Sequence, residues 1–177
     1  MGDISIAVNL SPRNFWDQEL PSRIAAILQE SGWPPSLLCL EITEGTLMGR
    51  EDAVEMFKRL GQLGIGLAID DFGIGYSSLG NLQRFPVDVL KIDRTFTNGV
   101  PENRHNLALV RTILALAREL DLAVIAEGIE TRIQHDCLLA EGCLRGQGYL
   151  YGMPMTVAQV EGLLLGNKRR EVVELIA

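Results

Sequence analysis

Six short apolar runs alternate with segments of helical spacing, and this alternation restricts the possible folds more than any other feature of the chain. The runs extend over Ile4 to Leu10, Leu37 to Ile42, Ile65 to Asp70, Val87 to Ile92, Ala123 to Ala126 and Cys143 to Arg145. Runs of this length bounded by glycine, proline or polar residues are typical of buried strands. Helices are predicted over 21–30, 52–63, 106–120, 131–141, 157–165 and 170–176, with a short helical turn over 78–84. The pattern indicates a parallel sheet covered by helices.

A polar residue lies at or just past the carboxyl end of each predicted strand. These residues are Asn9, Glu41, Asp70, Lys91, Glu127 and Gln147. An open doubly wound sheet would spread them along one edge, whereas a barrel brings its strand ends to one ring, where barrel enzymes keep their active sites. The sequence therefore predicts an α/β fold of the TIM-like (β/α) barrel type. Because six strands are too few for an eight-stranded barrel, we expect the first strand and helix of the barrel to be missing from this chain.

The adjacent acids Asp70 and Asp71 follow one of these runs directly and precede the glycines Gly73 and Gly75. Neighbouring carboxylates repel each other, and one reason to keep them together is a hard cation such as Mg²⁺, Mn²⁺ or Ca²⁺, which prefers oxygen ligands. The alternative is a helix N-terminus, where aspartate caps free amide groups. Considered without the rest of the sequence, the two aspartates are more typical of a helix cap than of a metal site.

Length and charge narrow the function classes. A chain of 177 residues fits one domain, and its net charge of −7 argues against a DNA-binding protein, which would need a basic face. The cysteines Cys39, Cys137 and Cys143 are odd in number and lack the spacing of a zinc site, which favours a reducing compartment. Since no apolar run reaches membrane-spanning length, we expect a cytoplasmic chain without a membrane segment.

Six motifs in this chain resemble those of the EAL domain, the bacterial family of cyclic di-GMP phosphodiesterases. They are VNLSPRNF (8–15), LEITEG (40–45), DDFGIGYSSL (70–79), LKIDRTF (90–96), AEGIET (126–131) and GQGYLYGMP (146–154). The motifs occur in family order and extend over nearly the whole chain. The resemblance identifies residues 1–177 as a single EAL-type domain, corresponding to the C-terminal two-thirds of the family domain.

The resemblance implies a two-metal hydrolase that opens cyclic di-GMP to linear pGpG with Mg²⁺ or Mn²⁺. The implied metal ligands are Asn9, Glu41, Asp70, Asp71 and Glu127. Lys91 matches the lysine that holds the attacking water, and Glu127 has a catalytic role beside the ions.

Further roles implied by the resemblance concern the surroundings of the ions and the partners. Glu44 and Glu130 match carboxylates that brace the site and its loop. Gln147 matches the glutamine on the floor of the site, and both Gln147 and Ser11 are predicted to be cofactor-binding residues. The family also implies a homodimer formed through the loop after Asp71, and sensor or GGDEF-type domains elsewhere in the parent protein.

Two departures from the family pattern affect these expectations. The Glu-Ala-Leu segment that names the family, and supplies one further metal ligand, is absent from this chain. We therefore expect the parent protein to be an active phosphodiesterase, and this stretch on its own to have impaired activity. Ile74 stands where the family usually has threonine, which removes a loop hydroxyl but no ligand.

Two other functions remain open from the sequence. A non-hydrolytic cyclic di-GMP receptor is expected if the parent protein also lacks the missing glutamate. An unrelated barrel lyase or aldolase would use Lys91 to form a Schiff base. His105 and His135 lie far apart on predicted helices and are interpreted as surface or packing residues.

Overall fold

The computed structural model describes residues 4–47, 52–75 and 82–166. Within them, six strands form one parallel sheet in the order β1-β2-β3-β4-β5-β6. Their bounds are β1 Ile6–Asn9, β2 Leu38–Thr43, β3 Gly66–Phe72, β4 Val89–Ile92, β5 Ala123–Ala126 and β6 Arg145–Gly146. A doubly wound sheet reverses its strand order at a switch point, whereas each strand here pairs with its sequence neighbour. The predicted incomplete barrel is therefore confirmed over a doubly wound sheet.

Helices follow most strands and lie on one side of the sheet. The longer ones are α2 Leu20–Ser31, α4 Asp52–Gly61, α6 Arg104–Glu119, α7 Arg132–Ala140 and α8 Val157–Gly166. No helix in the described ranges combines the length and the apolar character required to cross a membrane. The predicted helix over 170–176, and most of the predicted turn over 78–84, lie outside the described residues.

Three helices of four residues were not predicted from the sequence. They are α1 Pro12–Phe15, α3 Glu44–Leu47 and α5 Arg94–Thr97, and each begins shortly after a strand ends. A single turn is too short to establish a hydrophobic period, and side-chain caps mark the starts of α1 and α5. Ser11 caps α1 by accepting from the Asn14 amide at 3.2 Å.

The start of α7 has a full capping box, which fixes the chain between β5 and this helix. The Thr131 hydroxyl accepts from the Gln134 amide at 3.2 Å. In return, the Gln134 side-chain oxygen accepts from the backbone amides of Glu130 and Thr131 at 2.8 and 2.9 Å. These reciprocal bonds satisfy amides that a helix start would otherwise leave free.

The two faces of the sheet carry different side chains. Alternate residues such as Leu67, Ile69, Leu90 and Ile92 join the main core with the helices. The opposite face has a smaller apolar cluster of Ala68, Val89 and Ile125, with Cys39 and Ala123 against it. Because strand side chains alternate with a period of two, the polar residues two positions further along lie on this same inner face. The inner face is therefore apolar along its length and charged at its carboxyl end.

Candidate active site

A buried lysine lies at the centre of the charged end of the sheet. The ammonium nitrogen of Lys91, on β4, is 2.8 Å from Glu41 Oε2, 3.1 Å from Asp70 Oδ1 and 2.6 Å from Glu127 Oε1. The Lys91 side chain is 2% exposed. These distances bring together residues from four neighbouring strands, as the barrel prediction requires.

The lysine stays protonated in these surroundings. Burial alone lowers the pKa of Lys91, but the charge and hydrogen bonds of Glu127, and then those of Glu41, raise it well above its ordinary value. A Schiff-base lysine needs the opposite shift, since only the neutral amine attacks a carbonyl. The electrostatics therefore disfavour the lyase alternative.

A bulge in β3 brings the second aspartate to the same site. Neighbouring residues of a regular strand point to opposite faces, so Asp70 and Asp71 would be separated by the sheet. The register of β3 against β4 shifts between Ile69 and Phe72, and Asp71 has a φ of 54°. As a result, one carboxylate oxygen each of Asp70, Asp71 and Glu127 lie within 4.8 Å of one another. Burial raises the pKa of Asp71, and the charge of Asp70 raises it further.

Glu127 and Gln147 form a pair at the end of β5 and β6. The Gln147 amide donates to Glu127 Oε1 at 2.6 Å, the same oxygen that contacts Lys91. Burial raises the pKa of Glu127 to about 7, with Asp70 and Glu41 adding to the shift and Lys91 opposing it. The Gln147 oxygen is buried and has no hydrogen-bond partner among the described residues.

Asn9 closes the ring from the β1 side. With its amide nitrogen turned towards the acids, it donates to Asp70 Oδ2 at 3.2 Å and to Glu41 Oε2 at 3.3 Å. Its position at the end of β1 is the one that the sequence predicted.

The donor set fits a hard divalent cation. Asp70, Asp71 and Glu127 present only oxygen atoms, which suit Mg²⁺, Mn²⁺ or Ca²⁺. Asp70 Oδ1 is buried and lacks a hydrogen bond within the described residues, although it lies within ion-pair distance of Lys91. The single ammonium of Lys91 faces three carboxylates, so negative charge is in excess at the centre. A cation would satisfy both the excess charge and the unbonded oxygen.

Glu44 is buried beside the site and holds the start of the loop after β3. Its Oε2 accepts from the backbone amides of Gly73 at 2.9 Å and Gly75 at 3.2 Å. Residues 76–81, which include the rest of this loop and of the proposed dimer contact, lie outside the described residues.

The other two predicted site residues, Glu130 and Ser11, are exposed rather than buried with the acidic centre. Glu130 is exposed, and its carboxylate makes no ion pair with the described part of the chain. Ser11 is exposed and uses its hydroxyl as the cap of α1. Their functional roles stay predictions.

Asp93 was not among the predicted site residues but contacts the site. It is 6% exposed, accepts from the Thr95 amide at 2.7 Å and helps to raise the pKa of Asp71. Burial would raise the pKa of Asp93, but its interactions with Thr95 and Asp71 outweigh burial and lower it. Its position two residues after Lys91, just past the end of β4, was the sequence signal for it.

Comparisons with known proteins agree with this arrangement. The model of the EAL domain matches residues 1–154. The chain is 43% identical over 159 residues to the bifunctional diguanylate cyclase/cyclic di-GMP phosphodiesterase MucR of Pseudomonas aeruginosa, covering 89% of this chain and 23% of that protein. The chain thus spans about a quarter or less of the first curated relatives.

Two solved structures share the fold. The MucR phosphodiesterase in complex with c-di-GMP superposes with a TM-score of 0.84 at 42% identity, covering 88% of this chain and 70% of that one. The manganese/cy-diGMP complex of Klebsiella pneumoniae BlrP1 superposes with a TM-score of 0.79 at 30% identity, covering 86% of this chain and 39% of that one. From the family match and these similarities, the chain belongs to the EAL domain family.

Proposed function

We propose that this chain carries the catalytic face of a metal-dependent phosphodiesterase that hydrolyses cyclic di-GMP to linear pGpG. The observation that carries the proposal is the convergence of Asp70, Asp71 and Glu127 within 4.8 Å beside the protonated Lys91. Relatives named as cyclic di-GMP phosphodiesterases, and solved EAL domains with the dinucleotide bound, support the choice of substrate.

Two divalent ions, Mg²⁺ or Mn²⁺, are proposed as the cofactors. Asn9, through its side-chain oxygen, would hold the first ion with Glu41 and Asp70, while Asp70, Asp71 and Glu127 would hold the second. When bound, the ions would supply Lewis-acid activation of the phosphodiester and of the attacking water. The manganese named in the BlrP1 complex supports this choice.

The residues of the chain supply orientation and charge. Lys91 would hold the attacking water and offset the negative charge that develops on the phosphoryl oxygens. Gln147 would fix the rotamer of Glu127, to which it donates at 2.6 Å. Glu44 would keep the loop after Asp71 against the site through Gly73 and Gly75. Glu130 is proposed as a second brace, and Ser11 and Gln147 as floor positions, on the family resemblance alone.

The proposal for the whole protein is broader. We propose that residues 1–177 form one domain and that this domain works as a homodimer. We also propose that sensor or GGDEF-type domains accompany it in the parent protein. The bifunctional name of MucR supports the proposal of a GGDEF-type domain. The cytoplasmic location stays a prediction from the sequence.

Calorimetry with cyclic di-GMP, with and without Mn²⁺, tests the proposal when combined with chromatography of the products. We expect the parent protein to bind the dinucleotide and to release pGpG in a reaction that needs Mn²⁺, and residues 1–177 alone to release it more slowly. D70N should lose metal binding and turnover, whereas D17N, which alters an exposed ion pair with Arg23, should retain both. Binding without any pGpG would favour the receptor alternative, and near-normal turnover by D70N would contradict the two-metal mechanism.

A further inference from the structure

The loop that carries Gln147 is tied by its backbone to the segment after β5. We call residues 146–152 the Gln147 loop. The backbone amide of Gln147 donates to the Ala126 carbonyl at 2.9 Å, and the backbone amide of Ile129 donates to the Gln147 backbone carbonyl at 3.0 Å. The Leu150 amide then donates to the Ile129 carbonyl at 3.0 Å. Three backbone hydrogen bonds therefore join the two segments around Gln147.

A side-chain hydrogen bond fixes the far end of the Gln147 loop to α7. The hydroxyl of Tyr151 lies 2.7 Å from Nδ1 of His135, and the two rings meet edge to face with centroids 5.9 Å apart. The His135 side chain is 24% exposed, so the bond is largely shielded from water.

This hydrogen bond completes a closed loop of contacts that begins and ends at the site. Glu127 leads along the chain to Glu130, which the Gln134 side chain ties to the start of α7. From α7 the path runs through Tyr151 back to Gln147. The side-chain amide of Gln147 then donates to Glu127 Oε1 at 2.6 Å. Removing the hydrogen bond between Tyr151 and His135 would interrupt this path of contacts. Gln147 would then be held less firmly, although no group that faces the acidic centre would be lost.

We propose that Tyr151 and His135 are positioning residues that set the Gln147–Glu127 contact and, through it, the geometry of the metal ligands. This inference rests on the proposed function, since it assigns Glu127 to the ions. Partners that orient a metal ligand raise the affinity of the site because the ligand loses less freedom on binding. Neither residue was selected from the sequence, where His135 was interpreted as a surface or packing residue.

The variant Y151F tests the inference because it removes one hydroxyl and keeps the ring in its contacts with the core. Its matched control is Y149F, since Tyr149 belongs to the same loop and is 59% exposed. Calorimetric titration of Mn²⁺ into the full chain, without nucleotide, should give a dissociation constant about tenfold higher for Y151F than for the unaltered chain, the lower end of the effect of such partners. Y149F should match the unaltered chain.

His135 variants provide a second comparison. H135L should weaken Mn²⁺ binding as Y151F does, whereas H135N should retain it, because the asparagine side chain places a polar atom near the position of Nδ1. In the Y151F background, H135L should have little further effect, since the two residues act through one bond.

Hydrogen exchange separates failure of this inference from failure of the proposed function. The amide of Leu150 should exchange faster in Y151F than in Y149F, whether or not Mn²⁺ binds. If Y151F leaves both the Leu150 exchange rate and the Mn²⁺ affinity at the Y149F values, the positioning role is overturned. A lower melting temperature with unchanged Mn²⁺ affinity would also overturn it, since that result describes packing alone. If the unaltered chain binds no Mn²⁺, the proposed function fails, and the exchange rate alone then tests whether the bond holds the loop.

Discussion

Nζ of Lys91 lies 2.6 Å from Oε1 of Glu127 at the carboxyl end of the sheet, and the two side chains are only 2% and 13% exposed. Lys91 also contacts Glu41 and Asp70, so one ammonium offsets several carboxylates that burial would otherwise discourage from ionising. The lysine therefore has a role in the metal-free fold as well as in the proposed chemistry.

Replacing Lys91 should separate these two roles. K91M keeps most of the stem but leaves three buried carboxylates without their shared cation, and breaking a buried pair in this way costs about 3–5 kcal/mol. We expect a lower melting temperature in chelator, and a larger rise on adding Mn²⁺ than in the unaltered chain, because the ion replaces the missing charge. Turnover should fall roughly 10²- to 10⁴-fold even with Mn²⁺ present.

The control for K91M is K58M, which changes an exposed lysine on α4. Thermal melts of both variants in EDTA and in MnCl₂ decide the outcome. Equal melting temperatures for K91M and K58M in EDTA would show that the buried ion pairs do not stabilise the fold.

Glu44 should stabilise the start of the loop after β3. E44A leaves the amides of Gly73 and Gly75 without the carboxylate that now accepts from them. Both glycines are exposed, so water can replace the lost acceptor. Each hydrogen bond then contributes about 0.5–1.5 kcal/mol, and unfolding by urea should require less denaturant. The Gly73 amide should also exchange faster by NMR. E55A, at an exposed site on α4, is the control, and equal Gly73 exchange in the two variants would refute the bracing role.

The regular features of the site could be predicted from sequence because they repeat. Once β4 is recognised as a strand, alternation alone brings Val89 and Lys91 to the inner face, and parallel pairing brings Glu41 and Asp70 beside them. The barrel order follows from the same strands, since each pairs with its neighbour in sequence.

Irregular features escaped prediction because they depend on contacts distant in sequence. The bulge that turns Asp71 to the site arises where β3 meets β4, and no local pattern marks it. The bond between Tyr151 and His135 joins residues 16 positions apart.

Gly148 should be intolerant of any side chain. A Cβ at this position would overlap the Ile129 carbonyl oxygen, and the Gly148 φ of 152° disfavours other residues. G148A should therefore lower the free energy of unfolding and shift Gln147 away from Glu127. G162A is the control: nothing lies within 4 Å of its Cβ position on α8, so it should stabilise the chain by about 0.5–1 kcal/mol. Urea melts of both variants measure the difference, and equal stability would contradict the close approach.

The stability of the metal-free chain should depend on pH through Glu127. Burial raises the pKa of this carboxyl to about 7 in the fold, from an ordinary value of 4.5. Between these values the folded chain retains a proton that the unfolded chain has lost, so the stability from Glu127 is complete below pH 4.5 and falls as the pH rises through 7. In EDTA, the melting temperature of the unaltered chain should therefore decrease relative to E127Q from pH 5 to pH 8. Saturating Mn²⁺ should weaken or reverse that trend, since an ion favours the ionised carboxylate. A difference between the two chains that stays constant across this pH range in EDTA would mean that Glu127 is already ionised in the metal-free fold.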